Sequence, residues 1–190
     1  MNRIEETFAQ VRTICSDVYV ADYTQQTHSQ KGVVIQDKPF DDIQYFELHN
    51  NRCFPILAVN FEHNKGFSPQ GIQDCECLLR INDVNDGWLL LCELKYCLKK
   101  NIDLNADDAY NQLTSTWQLL HDKKLFDKRH TRSYLNISVP DHSDKAPFIS
   151  FRATQNDQIR WLKRNRIHLL GYNDLLVVNE GQLMVPLVEV

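Results

Sequence analysis

A chain of 190 residues suits one domain with a single sizeable core, and 43% hydrophobic with 24% charged residues excludes a disordered polymer. The formal net charge of −4 excludes a protein that holds nucleic acid by overall basicity, so any such contact must come from local patches. No apolar run reaches the length of a bilayer span, so no membrane segment is expected.

The opening "MNRIEETFAQVRTIC" carries two glutamates where a secretory signal would be apolar. Without export, six cysteines are expected to be reduced thiols in a cytoplasmic protein. Ile4, Phe8, Val11 and Cys15 have helical spacing and predict a helix over residues 2–16. Residues 17–36 hold two β-rich pieces, "DVYVADY" and "GVVIQD". In residues 40–62, "DIQYFEL" fits either a helical turn or a strand, and "FPILAVNF" reads as a strand opening at a proline.

Residues 74–97 are the clearest unit. "DCECLLRI" alternates polar and apolar, "NDVNDG" is turn-forming, and "WLLLCELKYC" follows, which makes a β-hairpin. Next, Asn105 is a candidate N-cap with Asp107 and Asp108 in the first turn. Ala109, Leu113, Trp117 and Leu120 give one apolar stripe and predict a helix from about 106 to 124. A strand "SYLNISVP", a polar loop, a helix in "TQNDQIRWLKRNR" and strand pieces around "NEGQ" complete the chain. The expected fold is α/β: one domain over 1–190 with a mixed central β-sheet flanked by helices.

If the hairpin turns near Val84–Asn85, Glu76 lies across from Glu93, about 5 Å away between Cβ atoms. Asp74 falls near Lys95 on the same face. The other face would carry Cys75, Cys77, Leu79, Leu90 and Cys92. Opposed carboxylates repel, and a hard divalent cation between them removes the conflict. The Leu94 carbonyl can add an oxygen, and Lys95 beside such an ion can steady a hydroxide or a phosphate in transition.

"DCECLLRINDVNDGWLLLCELKYC" followed by "ADDAYNQLTSTWQLL" resembles the core of the PD-(D/E)XK nuclease superfamily over residues 74–139. In that superfamily an acid on one strand precedes an E-x-K triplet on the next, and a helix then crosses to a further strand. It includes restriction endonucleases, Holliday-junction resolvases and repair exonucleases. The resemblance implies a restriction-endonuclease-like core and Mg²⁺- or Mn²⁺-dependent phosphodiester hydrolysis of nucleic acid, with DNA the expected substrate. By position, Glu76 takes the first acid, Glu93 the second and Lys95 the lysine, while Gln112 matches the polar residue on the following helix. Asp74 serves or assists as a metal ligand, because the first acid is Glu rather than Asp and no proline precedes it. An acid on the first core helix falls among Glu5, Glu6 and Glu47.

Two basic stretches, "KKLFDKRHTR" (123–132) and "RWLKRNRIH" (160–168), read alone as solvated surface. A phosphodiester substrate gives Arg160, Lys163, Arg164 and Arg166 a role on the nucleic-acid backbone, with Trp161 packing in the core. Cys75, Cys77 and Cys92 read as core rather than a zinc site, which needs four ligands. The seven histidines are expected at the surface or in caps, and "ELHNNRC" has no supporting second histidine. The alternative to an enzyme is an inactive nuclease-fold module that binds a protein partner, as an immunity or defence-system subunit. A homodimer also stays open.

Overall fold

The chain's apolar runs pair into two sheets rather than one. The computed structural model describes residues 3–24, 31–82, 87–142 and 156–186. The elements are α1 (Arg3–Thr7), β1 (Val11–Ile14), β2 (Val18–Asp22), β3 (Val33–Gln36), β4 (Phe46–His49), β5 (Ile56–Asn60), β6 (Cys77–Ile81) and β7 (Trp88–Leu94). There follow α2 (Ile102–Asp122), β8 (Arg132–Ser138), α3 (Asn156–Arg164), β9 (Ile167–Leu170), β10 (Asp174–Asn179) and β11 (Gln182–Met184). One mixed sheet runs β1-β5-β6-β7-β8-β9, and a second runs β11-β10-β4-β2-β3. The protein is a mixed α/β fold.

β7 is buried at every position, as a strand covered on both faces should be. Leu89 and Leu91 face the helices, in a core with Ala109, Leu113, Trp117 and Leu120 of α2. Trp88, Leu90, Cys92 and Leu94 face the second sheet, against Val18, Val20, Leu48 and Leu175. The expected flanking by helices therefore holds on one face only. On the other face the early strands and the C-terminal hairpin join, with β10 parallel to β4, and cover it as a sheet.

The helix expected over 2–16 is a correction. It stops at Thr7, and Val11–Ile14 instead adds an edge strand to β5, Val11 opposite Val59 and Ile14 opposite Ile56. A short "VRTI" run gains more from pairing with a buried strand than from extending an isolated helix. Cys15, placed on the helical stripe from spacing, is exposed. The ambiguous "DIQYFEL" resolves as β4. The α2 helix starts a turn earlier than expected, after a 3₁₀ turn at Lys99–Asn101. Asn105 lies inside it and donates to Asn101 O at 2.8 Å instead of capping. The stripe is as read: Ala109, Leu113, Trp117 and Leu120 are all buried.

The hairpin register also agrees with the reading, Cys77 opposite Cys92 and Leu79 opposite Leu90. Its turn, 83–86, and the polar loop at 143–155 lie outside the described residues. After β7, α2 crosses to β8, which runs parallel to β7 with Glu93 level with Ile137. β9 continues in parallel beside β8.

Candidate functional site

The β6–β7 ladder ends at Cys77–Cys92, and the acids stand where it opens. The flanks still pair there: Phe61 N donates to Glu76 O at 3.1 Å, and Lys95 N to Ser138 O at 2.9 Å. Leu94 N donates to the Glu76 side chain, Oε2, at 2.9 Å, so a carboxylate takes the place of a ladder carbonyl. Strand alternation puts Glu93 on the Leu89–Leu91 face, beneath α2. Glu93 is 1% exposed and Lys95 is 9% exposed.

Lys95 Nζ donates to Glu93 Oε1 at 2.5 Å and to Gln112 Oε1 at 3.1 Å. Gln112 Nε2 in turn donates to Gln73 Oε1 at 2.8 Å. Glu76, Glu93, Lys95 and Gln112 therefore converge, as the sequence reading placed them. Lys95 spends two of its three N–H donors on these partners, which leaves one for a further acceptor.

The second Glu93 oxygen, Oε2, is buried and meets no donor among the described residues. The Glu76 carboxyl beside it satisfies that oxygen only while one of the two acids keeps a proton. Burial first, and then the Glu93 charge, hold the Glu76 carboxyl well above the usual carboxylate range. Glu76 keeps a partly exposed surface, yet protein atoms crowd the carboxyl itself. Burial also raises Glu93, against the lowering effect of its Glu76 and Lys95 contacts. For Lys95, burial disfavours the ammonium, but the Glu93 carboxylate outweighs it and the group ends above its ordinary value. Two oxygen ligands, one of them orphaned, and a proton available for displacement fit a hard cation such as Mg²⁺ or Mn²⁺.

Asp74 does not join this group. Its Oδ1 accepts from Ser68, and its carboxyl also meets Thr116 on α2. The cause is a break in alternation: Cys75 N donates to Thr116 Oγ1 at 3.1 Å, and Cys75 packs with the helix-side core. Cys75 is thus on the face opposite Cys77 and Cys92, which corrects the expected three-cysteine layer. All six cysteines are free. Of the candidates for a helix acid, Glu5 and Glu6 are exposed on α1, and Glu47 lies on β4 of the second sheet.

Arg160, Lys163 and Arg164 are exposed on α3, and Arg160 Nη1 sits 3.7 Å from Asp157 Oδ1. Trp161 packs edge-on to Trp117 at 5.4 Å, as expected of a core aromatic. Arg166 precedes β9, level with Ser133 at the start of β8, whereas Glu93 and Lys95 stand at the C-terminal end of β7. A strand rise of about 3.3 Å per residue separates them by about 20 Å. Arg166 and the carboxylates therefore do not form one continuous group.

Sequence reasoning missed Gln73 and Thr116. Thr116 is four residues after Gln112, so both lie on one α2 edge over the segment before β6, a spacing the sequence does carry. It also missed that Asp17, Glu47 and His49 bring ligand atoms within 4.8 Å of one another on the second sheet. His49 Nδ1 lies 3.2 Å from Glu47 Oε1 and Nε2 3.8 Å from Asp174 Oδ2, a compact ion-pair cluster. The Glu-x-His alternation on β4 was its only sequence signal. Among the described residues no helix is long and apolar enough to cross a membrane. In comparisons with protein-family models, curated proteins and solved structures, no match was found.

Proposed function

We propose that the protein hydrolyses phosphodiester bonds of nucleic acid, with DNA the expected substrate, at the Glu76–Glu93–Lys95–Gln112 centre in the presence of Mg²⁺ or Mn²⁺. The observation that carries the reading is the orphaned, buried Glu93 Oε2 beside a second carboxyl, with a lysine held over the same acid. A lone structural ion pair has no need of Glu76 there, because the added acid raises the cost of burying Glu93. The strand–strand–helix–parallel strand order around these residues adds support, since it is the order the resemblance implies.

Glu76 and Glu93 would hold the cation, which supplies charge neutralisation at the scissile phosphate and a lowered pKa for attacking water. Lys95 presents its third N–H to a phosphate oxygen and keeps its proton there, because Glu93 favours the ammonium. Gln112 fixes the direction of Nζ from α2, and Gln73 fixes Gln112. Burial of Glu93 and Leu94 keeps bulk water from this side of the centre.

The competing reading is a nuclease-fold module that binds a protein partner without catalysis. It draws on the diversion of Asp74 to Ser68, which leaves two carboxylates at the centre. Incubation of labelled DNA and RNA oligonucleotides with Mn²⁺ decides between them. Cleavage by the wild type that Glu93→Gln and Lys95→Met each reduce at least about a hundredfold supports hydrolysis, the scale of a lost charge-stabilising group. Equal products from all three proteins would reject it.

A further inference from the structure

Arg132 and Arg166, 34 residues apart in the chain, bring the two basic stretches together at the edge of the sheet opposite the carboxylates. Arg129 and His130 come from the loop into β8, Arg132 opens β8, and Arg166 comes from the turn between α3 and β9. With Gly87 and Gly181 they line a cavity of about 330 Å³. The loops are tied to each other. Arg166 Nη1 donates to Arg129 O, Lys128 Nζ donates to Asn165 Oδ1 at 3.2 Å, and Ser133 N donates to Arg166 O at 3.2 Å. Arg132 N donates to Gly87 O at 3.2 Å, which fixes the floor.

Three arginines line this cavity in a protein of net charge −4. Asp127 pairs with one edge of Arg129, at 2.7 Å from Nη2, and leaves the rest of that guanidinium open. The Arg132 side chain has no hydrogen bond or ion pair among the described residues, although it is only partly exposed. Its charge already bears on His168, whose imidazole is held below its ordinary value by burial and then by Arg132. One paired carboxylate, Asp127, faces three arginines, so an excess of like charge remains, and an anion with several oxygens removes that cost. Arginine forks fit phosphate oxygens in pairs.

We infer that this cavity binds a phosphate group of a nucleic-acid strand, distinct from the phosphate at the carboxylate centre about 20 Å away along β7. The nucleic-acid source rests on the proposed hydrolytic function; the phosphate chemistry rests on the arginines alone. Binding of a fluorescent single-stranded DNA, followed by anisotropy across a salt series in EDTA, tests it without cleavage. Arg132→Gln and Arg129→Gln each lower affinity about tenfold and flatten the log–log salt slope by about 0.7, the share of one phosphate contact on a single strand. Lys38→Gln, exposed beyond β3, leaves both unchanged.

Wild-type slopes in both arginine variants would overturn the inference. Stabilisation by inorganic phosphate that depends on Arg132, with no strand binding by the wild type, would overturn the nucleic-acid source and assign a free phosphate compound. Glu93→Gln separates the two proposals: it keeps the strand affinity while losing hydrolysis. Arginine-dependent strand binding by a wild type that cleaves nothing would sink the hydrolytic reading and leave the cavity's role standing.

Discussion

Replacing Glu76 by glutamine tests whether the two acids share a proton in the metal-free protein. Folded Glu76 holds its proton well above the usual carboxylate range, because of burial and then the Glu93 charge. An unfolded glutamate releases its proton near pH 4.3. Above that value the native state binds more protons than the unfolded state, so stability falls as pH rises through the window up to the folded value. One proton corresponds to about 1.4 kcal/mol per pH unit. For a chain of this size, 1 kcal/mol moves Tm by about 2–4 °C, so the slope is about 3–6 °C per pH unit. In Glu76→Gln the new amide can still accept from Leu94 N through its oxygen, and its nitrogen can donate to Glu93 Oε2 with no proton required. Thermal unfolding in EDTA from pH 5 to 8 therefore gives diverging curves, with Glu76→Gln melting higher than the wild type as pH rises. All other groups are common to the two proteins, so the difference between the curves reports the Glu76 site. Parallel curves, or a variant that melts lower at pH 8, would refute the shared proton.

Other consequences follow from the same contacts. Lys95→Ala leaves Glu93 buried without its cation, and chemical denaturation should show a loss of about 3–5 kcal/mol with an unchanged m-value. Asn136 is fully buried on β8; its Nδ2 donates to Tyr172 O at 2.8 Å and its Oδ1 accepts from Tyr172 N at 3.1 Å. Asn136→Ala should cost about 1–3 kcal/mol for each group left unpaired, and hydrogen exchange at the Tyr172 amide should accelerate.

The hairpin, its register and the α2 stripe were legible because period-2 and period-3.6 patterns are local. From the register came Glu76, Glu93 and Lys95, and from the helix face came Gln112. The second sheet was not legible: its strands β2, β4 and β10 are distant in sequence, and nothing local in "GYNDLLVVN" announces pairing with "FELH". The same non-local pairing turned "VRTI" from helix into strand, because its value lies in β5. Asp74 misled because alternation was extended beyond the ladder's end. Before Glu76, Thr116 holds the Cys75 N–H and Ser68 holds the Asp74 carboxyl, so neither follows the alternation of the ladder. The arginine cavity was hidden for a different reason, since two charged runs each read as solvated surface until the turn before β9 brings them together.

Whether the paired acids hold a cation is decided by calorimetric titration of Mn²⁺ into the protein in two buffers of different ionisation enthalpy. A cation held by Glu76 and Glu93 must displace their shared proton. Saturable binding with about one proton released, and loss of both signals in Glu93→Gln, is the predicted result. An absence of binding heat, or the same heat in Glu93→Gln, would contradict the assignment of these two acids as a cation site.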